Sequence, residues 1–260
     1  MALEKRTPDC ALRFWARPAS VEKTQRAFPS AQVSCHAAEI ARDADILVFC
    51  CPVGAMEVLA KDVVGSVSDE ALITDAGSVK ASVVGAMEPI FGGRFLGAHP
   101  MAGSEQSGIE SANADLFEGA TCVLTPTAKT ESSALRGISD FWTSVGCKNL
   151  VFAADEHDQL VARSSHLPHA VASILAKSVQ GSLPAALAVT GSGFRDTTRV
   201  AAGPPGMWAE IFLENRQHVL AALNELHSET QVFANLLETG DRAGLEKFLL
   251  QARDVRKDLE

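Results

Sequence analysis

Apolar and polar positions follow two regimes along the chain, and the change falls near residue 153. Before it, short apolar runs recur at Ala11–Ala16, Asp45–Cys51, Ala71–Asp75, Arg94–Ala98, Thr121–Thr125 and Lys148–Phe152. Runs of that length, bounded by turn residues, predict buried strands. Helices are expected between them, at about 19–28, 53–64, 79–90 and 131–145. Strands alternating with helices predict βαβ units and a parallel sheet covered on both faces.

After residue 153 the pattern is helical throughout, at about 155–180, 183–190, 205–238 and 241–257. The longest piece carries Trp208, Ile211, Phe212, Val219, Leu220, Leu223, Leu226 and Phe233 at spacings of three and four. That stripe is expected of a core-facing or dimer-facing helix. Gly240 should end it, and Asp241 should cap the next. The expected organisation is an α/β, Rossmann-like domain over 1–153 and an all-α domain over 154–260.

The formal charge of −9 argues against nucleic acid or an anionic membrane as partner. No apolar run approaches the roughly 20 residues of a membrane span. The opening MALEKRTPDC has no apolar secretory segment, so a cytoplasmic location is expected. Six cysteines, at 10, 35, 50, 51, 122 and 147, contain no C-x-x-C. Reduced thiols are expected, and no metal site.

Four stretches carry candidate chemistry. Thr74–Lys80 (TDAGSVK) follows a strand and opens a helix, at the strand end where open α/β sheets bind ligands. Ser78 and the free amides there suit a polar or anionic group, or simply a capped turn. Gly97–Glu105 (GAHPMAGSE) places His99 at a strand end before Pro and Gly. A neutral imidazole there can accept a proton, or only hold backbone. His166 and His169 in SHLPH share a helix face, and Pro168 can kink that helix. Gly191–Arg199 (GSGFRDTTR) is poor helix material. Its arginines match a carboxylate bidentately, or are solvated in an interhelical loop.

Seven ordered stretches, TDAGSVK, GAHPMAGSEQSG, ADLFEGA with VLTPT, DEHD, SHLPH, GFRDTTR and MWAEIFLEN, closely resemble the prephenate/arogenate dehydrogenase family. The resemblance runs over about residues 11–255, nearly the whole chain. It implies NAD(P)-dependent oxidative decarboxylation of prephenate, or of arogenate. It also implies a homodimer built on the helical domain. His99 would take the proton of the substrate's ring hydroxyl, and Ser78 would hold that hydroxyl or His99 in line. Arg199 would bind a substrate carboxylate, supported by Asp196. His169, Glu105 and Ser104 would shape the pocket, with His157, His166, Arg195 and Trp208 of second rank. Pro52, Val53, Asp75 and Ser78 would line the cofactor. A β-hydroxyacid dehydrogenase shares this plan, but its catalytic lysine motif is not found.

The sequence departs from the family pattern twice. No G-x-G-x-x-G is present. MALEKRTPDC reads as the tail of the helix that would follow it. The family's first strand and glycine loop are therefore expected upstream of Met1, and the sheet, of order 3-2-1-4-5-6, should lack its central strand. A truncated, non-catalytic member is the competing reading. Second, Ala16 takes the place of the acidic residue that binds the ribose of NAD, and Arg17 follows it. An arginine there suits a 2′-phosphate, so NADP is expected over NAD. No mutase-like helical domain or ACT-like regulatory unit is expected.

Overall fold

The computed structural model describes residues 1–103, 108–179 and 189–258. Two compact units emerge from the contacts, Met1–Asn215 and Arg216–Glu260.

The first unit opens with a short helix, α1 (Ala2–Arg6), then β1 (Arg13–Trp15), α2 (Val21–Ala27), β2 (Gln32–Ser34) and α3 (Ala37–Ala41). It continues with β3 (Ile46–Phe49), α4 (Val53–Val63), β4 (Leu72–Asp75), α5 (Ala81–Phe91) and β5 (Phe95–Pro100). Next come β6 (Thr121–Thr125), α6 (Ser132–Ser144) and β7 (Lys148–Val151). The predicted strands and helices are present. β2 and α3 are additions, too short for a hydrophobic period to register.

The strands form a two-stranded sheet, β1-β2, and a five-stranded sheet in the order β3-β4-β5-β6-β7. Among the described residues no ladder joins the two. The sheet is parallel as expected at β3-β4, β4-β5 and β6-β7, while β5 and β6 pair antiparallel, Pro100 opposite Cys122. Residues 101–120, which join them, carry only a 3-10 turn, Ile109–Ser111, among the described residues. A parallel return needs a crossover, usually a helix laid across the sheet.

Side-chain alternation divides the core in two. Ile73 and Phe95 face α4 and α5, packing with Met56, Val83, Met87 and Phe91. Leu96, Ala98, Cys122 and Leu124 face α6, packing with Ile138 and Trp142. Such full burial is worth about 1.5–3 kcal/mol for each large side chain.

The helical part differs more from expectation. The helix expected over 155–180 is α7 (Ala154–Val161), a π turn (Ala162–His166) and α8 (Leu167–Ser178). Pro168, without an N–H, stands just after the π turn, where the bonding register has already shifted. The helix expected over 183–190 lies almost wholly outside the described residues. Gly191–Arg199, expected as a loop, forms α9 (Ser192–Thr198) followed by a 3-10 turn, Arg199–Ala202. Thr197 and Thr198 donate back to the carbonyls of Gly193 and Phe194, which holds the glycine-flanked turn in place. The long helix expected over 205–238 breaks at Asn215 into α10 (Pro205–Glu214) and α11 (Arg216–Glu238).

The second unit is a hairpin of α11 and α12 (Arg242–Lys257). Gly240, at φ 63°, ends α11 as expected. Asp241 caps α12 by accepting from the Gly244 amide at 2.9 Å. Phe233 and Phe248 pack between the two helices, ring centroids 5.4 Å apart.

Candidate active site

β3 and β4 run parallel, so their carboxyl ends lie side by side, and their following turns open α4 and α5. Asp75 ends β4 and is fully buried. Its carboxylate accepts from the Lys80 ammonium and from the amides of Gly77 at 2.7 Å and Ala98 at 3.0 Å. Lys80, equally buried, also donates to the Ala98 carbonyl at 2.8 Å. A buried ion pair is stable only with further hydrogen bonds, and here the backbone of Gly77 and Ala98 supplies them. The network ties the TDAGSVK turn to the strand that carries His99. Gly97 leaves room for it: a Cβ there would lie 2.6 Å from Thr125 Oγ1 and 3.5 Å from Lys80 Cδ.

His99, near the end of β5, is 8% exposed. Its Nδ1 lies 2.8 Å from His157 Nε2 on α7. His157 Nδ1 lies 2.7 Å from Asp158 Oδ1. Asp158 also accepts from the Lys80 and Ala81 amides at 2.7 and 2.8 Å, where α5 begins. Burial first, then the Lys80 charge and the neighbouring His157 and His166 rings, hold the His99 pKa well below the usual histidine value. At neutral pH it is a neutral ring. Asp158 is opposed by burial, but the hydrogen bonds from His157, Ala81 and Lys80 win and hold its pKa low.

A second aromatic group is built from the π turn, α8 and α10. Asn215, at the α10–α11 break, donates to the Asp158 carbonyl at 2.8 Å and meets His166 Nδ1 at 3.1 Å. His166 is buried, which pulls its pKa down to about 4. His169 stacks on Trp208, centroids 3.6 Å apart and planes 12° apart. His166 meets the same ring edge-on at 6.2 Å, so both histidines face Trp208, as their three-residue spacing predicts. His166 Nε2 and His169 Nδ1 are buried and make no hydrogen bond among the described residues. Gly203 abuts the stack: a Cβ there would lie 2.6 Å from Trp208 Nε1 and 3.2 Å from His169 Cε1. The turn Arg199–Ala202 runs directly into it.

The other expected residues are scattered more widely. Ser78 is half-buried in the β4–α5 turn. Arg195, Asp196 and Arg199 are exposed on α9 and the turn after it. Arg17 is exposed two residues beyond β1, while Ala16 is buried. Ser104 and Glu105 lie outside the described residues. Pro52 is exposed and Val53 half-buried where α4 starts. The Gly54 amide there donates to Glu210 on α10 at 2.5 Å. Glu210, Asn215, Asp158 and Lys80 lie within the stretches MWAEIFLEN, DEHD and TDAGSVK, but no individual role was expected for them. A lone polar residue inside a helical pattern gives no signal of a distant partner.

A dinucleotide cofactor fits this end of the sheet in part. The β3–α4 and β4–α5 turns suit its nicotinamide side, and Gly77 is packed so tightly that a Cβ would lie 2.9 Å from Asp75 Oδ2. For the pyrophosphate side the sequence offers no glycine-rich turn. Thiolate chemistry is disfavoured at the half-buried Cys51: burial, with the Asp75 charge, pushes it up to about 11. Among the described residues no three His, Cys, Asp or Glu side chains are grouped to hold a metal. None of the described helices is long and apolar enough to cross a membrane.

Residues 19–151 match the family described as "Prephenate dehydrogenase, nucleotide-binding domain", and residues 153–251 match "Prephenate dehydrogenase, dimerization domain". The chain is 31% identical over 224 residues to a cyclohexadienyl dehydrogenase of Zymomonas mobilis, covering 84% of this chain and 76% of that one. It is 32% identical over 224 residues to a prephenate dehydrogenase of Bacillus subtilis, covering 84% of this chain but only 60% of the relative. Among solved structures, the prephenate dehydrogenase from A. aeolicus in complex with hydroxyphenyl propionate and NAD+ superposes with a TM-score of 0.93 at 30% identity. That match covers 100% of this chain and 92% of the other. A Synechocystis arogenate dehydrogenase gives 0.84 at 26% identity, covering 100% and 94%.

Proposed function

The chain belongs to the prephenate dehydrogenase family, and from that premise we propose that it oxidatively decarboxylates prephenate to 4-hydroxyphenylpyruvate. The observation that carries the reading is a buried, neutral His99 at the end of β5, backed by His157 and Asp158. Hydride leaves the ring carbon that bears the hydroxyl. His99 takes the hydroxyl proton, so that positive charge does not build on oxygen. The carbon–carboxylate bond then breaks, its electron pair completes the aromatic ring, and carbon dioxide departs without an acid. A nicotinamide, when bound, supplies the hydride acceptor.

Ser78 would hold the substrate hydroxyl in line with His99. Arg199, with Asp196 beside it, would take the side-chain carboxylate. His169, next to the turn that carries Arg199, would shape the pocket, with Ser104 and Glu105. The unpaired buried nitrogens of His166 and His169 support a polar ligand there. Asp75 would act through the turn, since its oxygens already hold Lys80, Gly77 and Ala98.

The cofactor is a nicotinamide dinucleotide, held through Pro52, Val53 and Ser78. Exposed Arg17 and buried Ala16 support NADP over NAD. The apolar residues Leu220, Val232, Leu237, Leu249 and Val255, all more than half exposed in the second unit, support a homodimer through the helical domain. A monodisperse monomer in sedimentation at micromolar concentration would overturn that part. Similarity to arogenate and cyclohexadienyl dehydrogenases supports arogenate as a second substrate. Comparing kcat/KM for both substrates, with both cofactors, tests these assignments together.

A further inference from the structure

We infer that His157 and Asp158 are positioning residues that fix the tautomer of His99, with the proton on Nδ1 and the Nε2 lone pair presented as the base. The inference deepens the proposed reaction and rests on His99 being its base.

Asp158 is the fixed point. It is 2% exposed and bridges α7 and α5: Oδ1 accepts from the Lys80 amide, and Oδ2 from the Ala81 amide. Held ionised by these bonds, the carboxylate can only accept. His157 Nδ1, 2.7 Å from Oδ1, is therefore the donor. In this arrangement His157 carries one N–H, now used, so its Nε2 keeps a lone pair. That nitrogen lies 2.8 Å from His99 Nδ1. Two bare nitrogens at that distance would repel, so the hydrogen sits on His99 Nδ1. The Nε2 of His99 is then an acceptor.

The consequence for chemistry is direct. An imidazole holding its proton on Nε2 would offer an N–H to the substrate hydroxyl and could not take its proton. With the order set by Asp158, the substrate proton moves to His99 Nε2 and no other bond changes. The resulting cation keeps its Nδ1–H on His157, and His157 keeps its own N–H on the carboxylate. One negative charge thus faces the new positive charge through two hydrogen bonds, in a buried setting where such charges interact strongly. Among the described residues, the other charged or titratable groups around His99 include Lys80, Asp75, His166 and Cys122. Lys80 and Asp75 neutralise each other in a buried pair.

The test reads the tautomer itself. Long-range proton–nitrogen correlation spectra of the ¹⁵N-labelled chain at about pH 8 separate the two neutral forms of each histidine. The His99 signals are assigned by their loss in His99→Asn. The wild-type chain is expected to show His99 protonated on Nδ1. His157→Leu should release it to the Nε2–H form, whereas His157→Gln, whose side-chain carbonyl can accept from Nδ1–H, should retain Nδ1–H. A wild-type His99 protonated on Nε2, as an imidazolium at His157 would impose, overturns the inference without any variant. So does Nδ1–H persisting in a folded His157→Leu chain. The spectra need no substrate, so absence of turnover on prephenate and arogenate would count against the proposed reaction alone.

Discussion

His99 and Arg199, the two residues on which the proposed reaction leans most, stand in opposite surroundings. His99 is buried at the end of a strand, and two hydrogen bonds in series tie it to a carboxylate that is itself held by backbone amides. Arg199 is exposed in a 3-10 turn after a seven-residue helix. The difference follows from what each must do. A base must hold one protonation state and one orientation, which burial and a fixed network supply. A guanidinium is charged at any working pH and must meet an anion arriving from water, so it needs no such shielding. Changes at the first region should therefore strike kcat, and changes at the second KM.

The largest effect should come from His99→Asn, which keeps a polar group but removes the base. In an upstream-extended chain that turns over, kcat should fall by about 10²–10⁴, with KM moving far less. A kcat near that of the unchanged chain would break the comparison at its root. Lys80→Met should cost about 3–5 kcal/mol of stability in denaturant unfolding, because it strands the buried Asp75 carboxylate. A loss under 1 kcal/mol would mean that the pair is not holding the turn.

Arg199→Ala should raise KM by about tenfold to several hundredfold while leaving most of kcat. Arg195→Ala should do less, and the reverse order would move the carboxylate site by one turn. Acidification should act first on the buried histidines, ahead of carboxylates such as Asp158 whose pKa is held low. Because the folded pKa of His99, His166 and His169 lies below the unfolded value, the unfolded chain binds more protons as pH falls through about 6.5. The contribution of these groups is thus fully present above that value and is lost progressively toward about pH 4, where His166 titrates in the fold. Thermal unfolding across that window should show the midpoint falling with pH; a flat profile would contradict the burial. The smallest effect belongs to exposed Arg17: Arg17→Ser should raise KM for NADP by about threefold to tenfold and leave NAD nearly unchanged.

Much of this architecture was legible in the sequence, and the gaps have physical causes. The apolar runs around Ile73, Phe95 and Leu124 marked β4, β5 and β6, because buried strands leave a dense apolar trace. β2 and α3, of three and five residues, are shorter than any periodic signal. The reversal of β6 could not be read, since a loop and a crossover differ in path rather than in local pattern. The break at Asn215 was hidden because the apolar stripe continues across it. Only the structure shows its side chain reaching the Asp158 carbonyl and His166. At the site, His99, His166 and His169 stood out by residue type and spacing. Asp158 and Lys80 stood inside DEHD and TDAGSVK without a role of their own, because their burial comes from partners 77 or 78 and 18 residues away in sequence.

The account stands or falls on the reaction itself. Prephenate and arogenate should each be offered, with NAD and NADP, to an upstream-extended chain carrying a glycine-rich strand-to-helix turn. Carbon dioxide release and nicotinamide reduction are then followed in the same sample. The account predicts that the two appear together, in a ratio of about one to one, because loss of the carboxylate completes the aromatic ring as hydride leaves. Carbon dioxide released without nicotinamide reduction, or neither product from a folded chain that binds the cofactor, would contradict it.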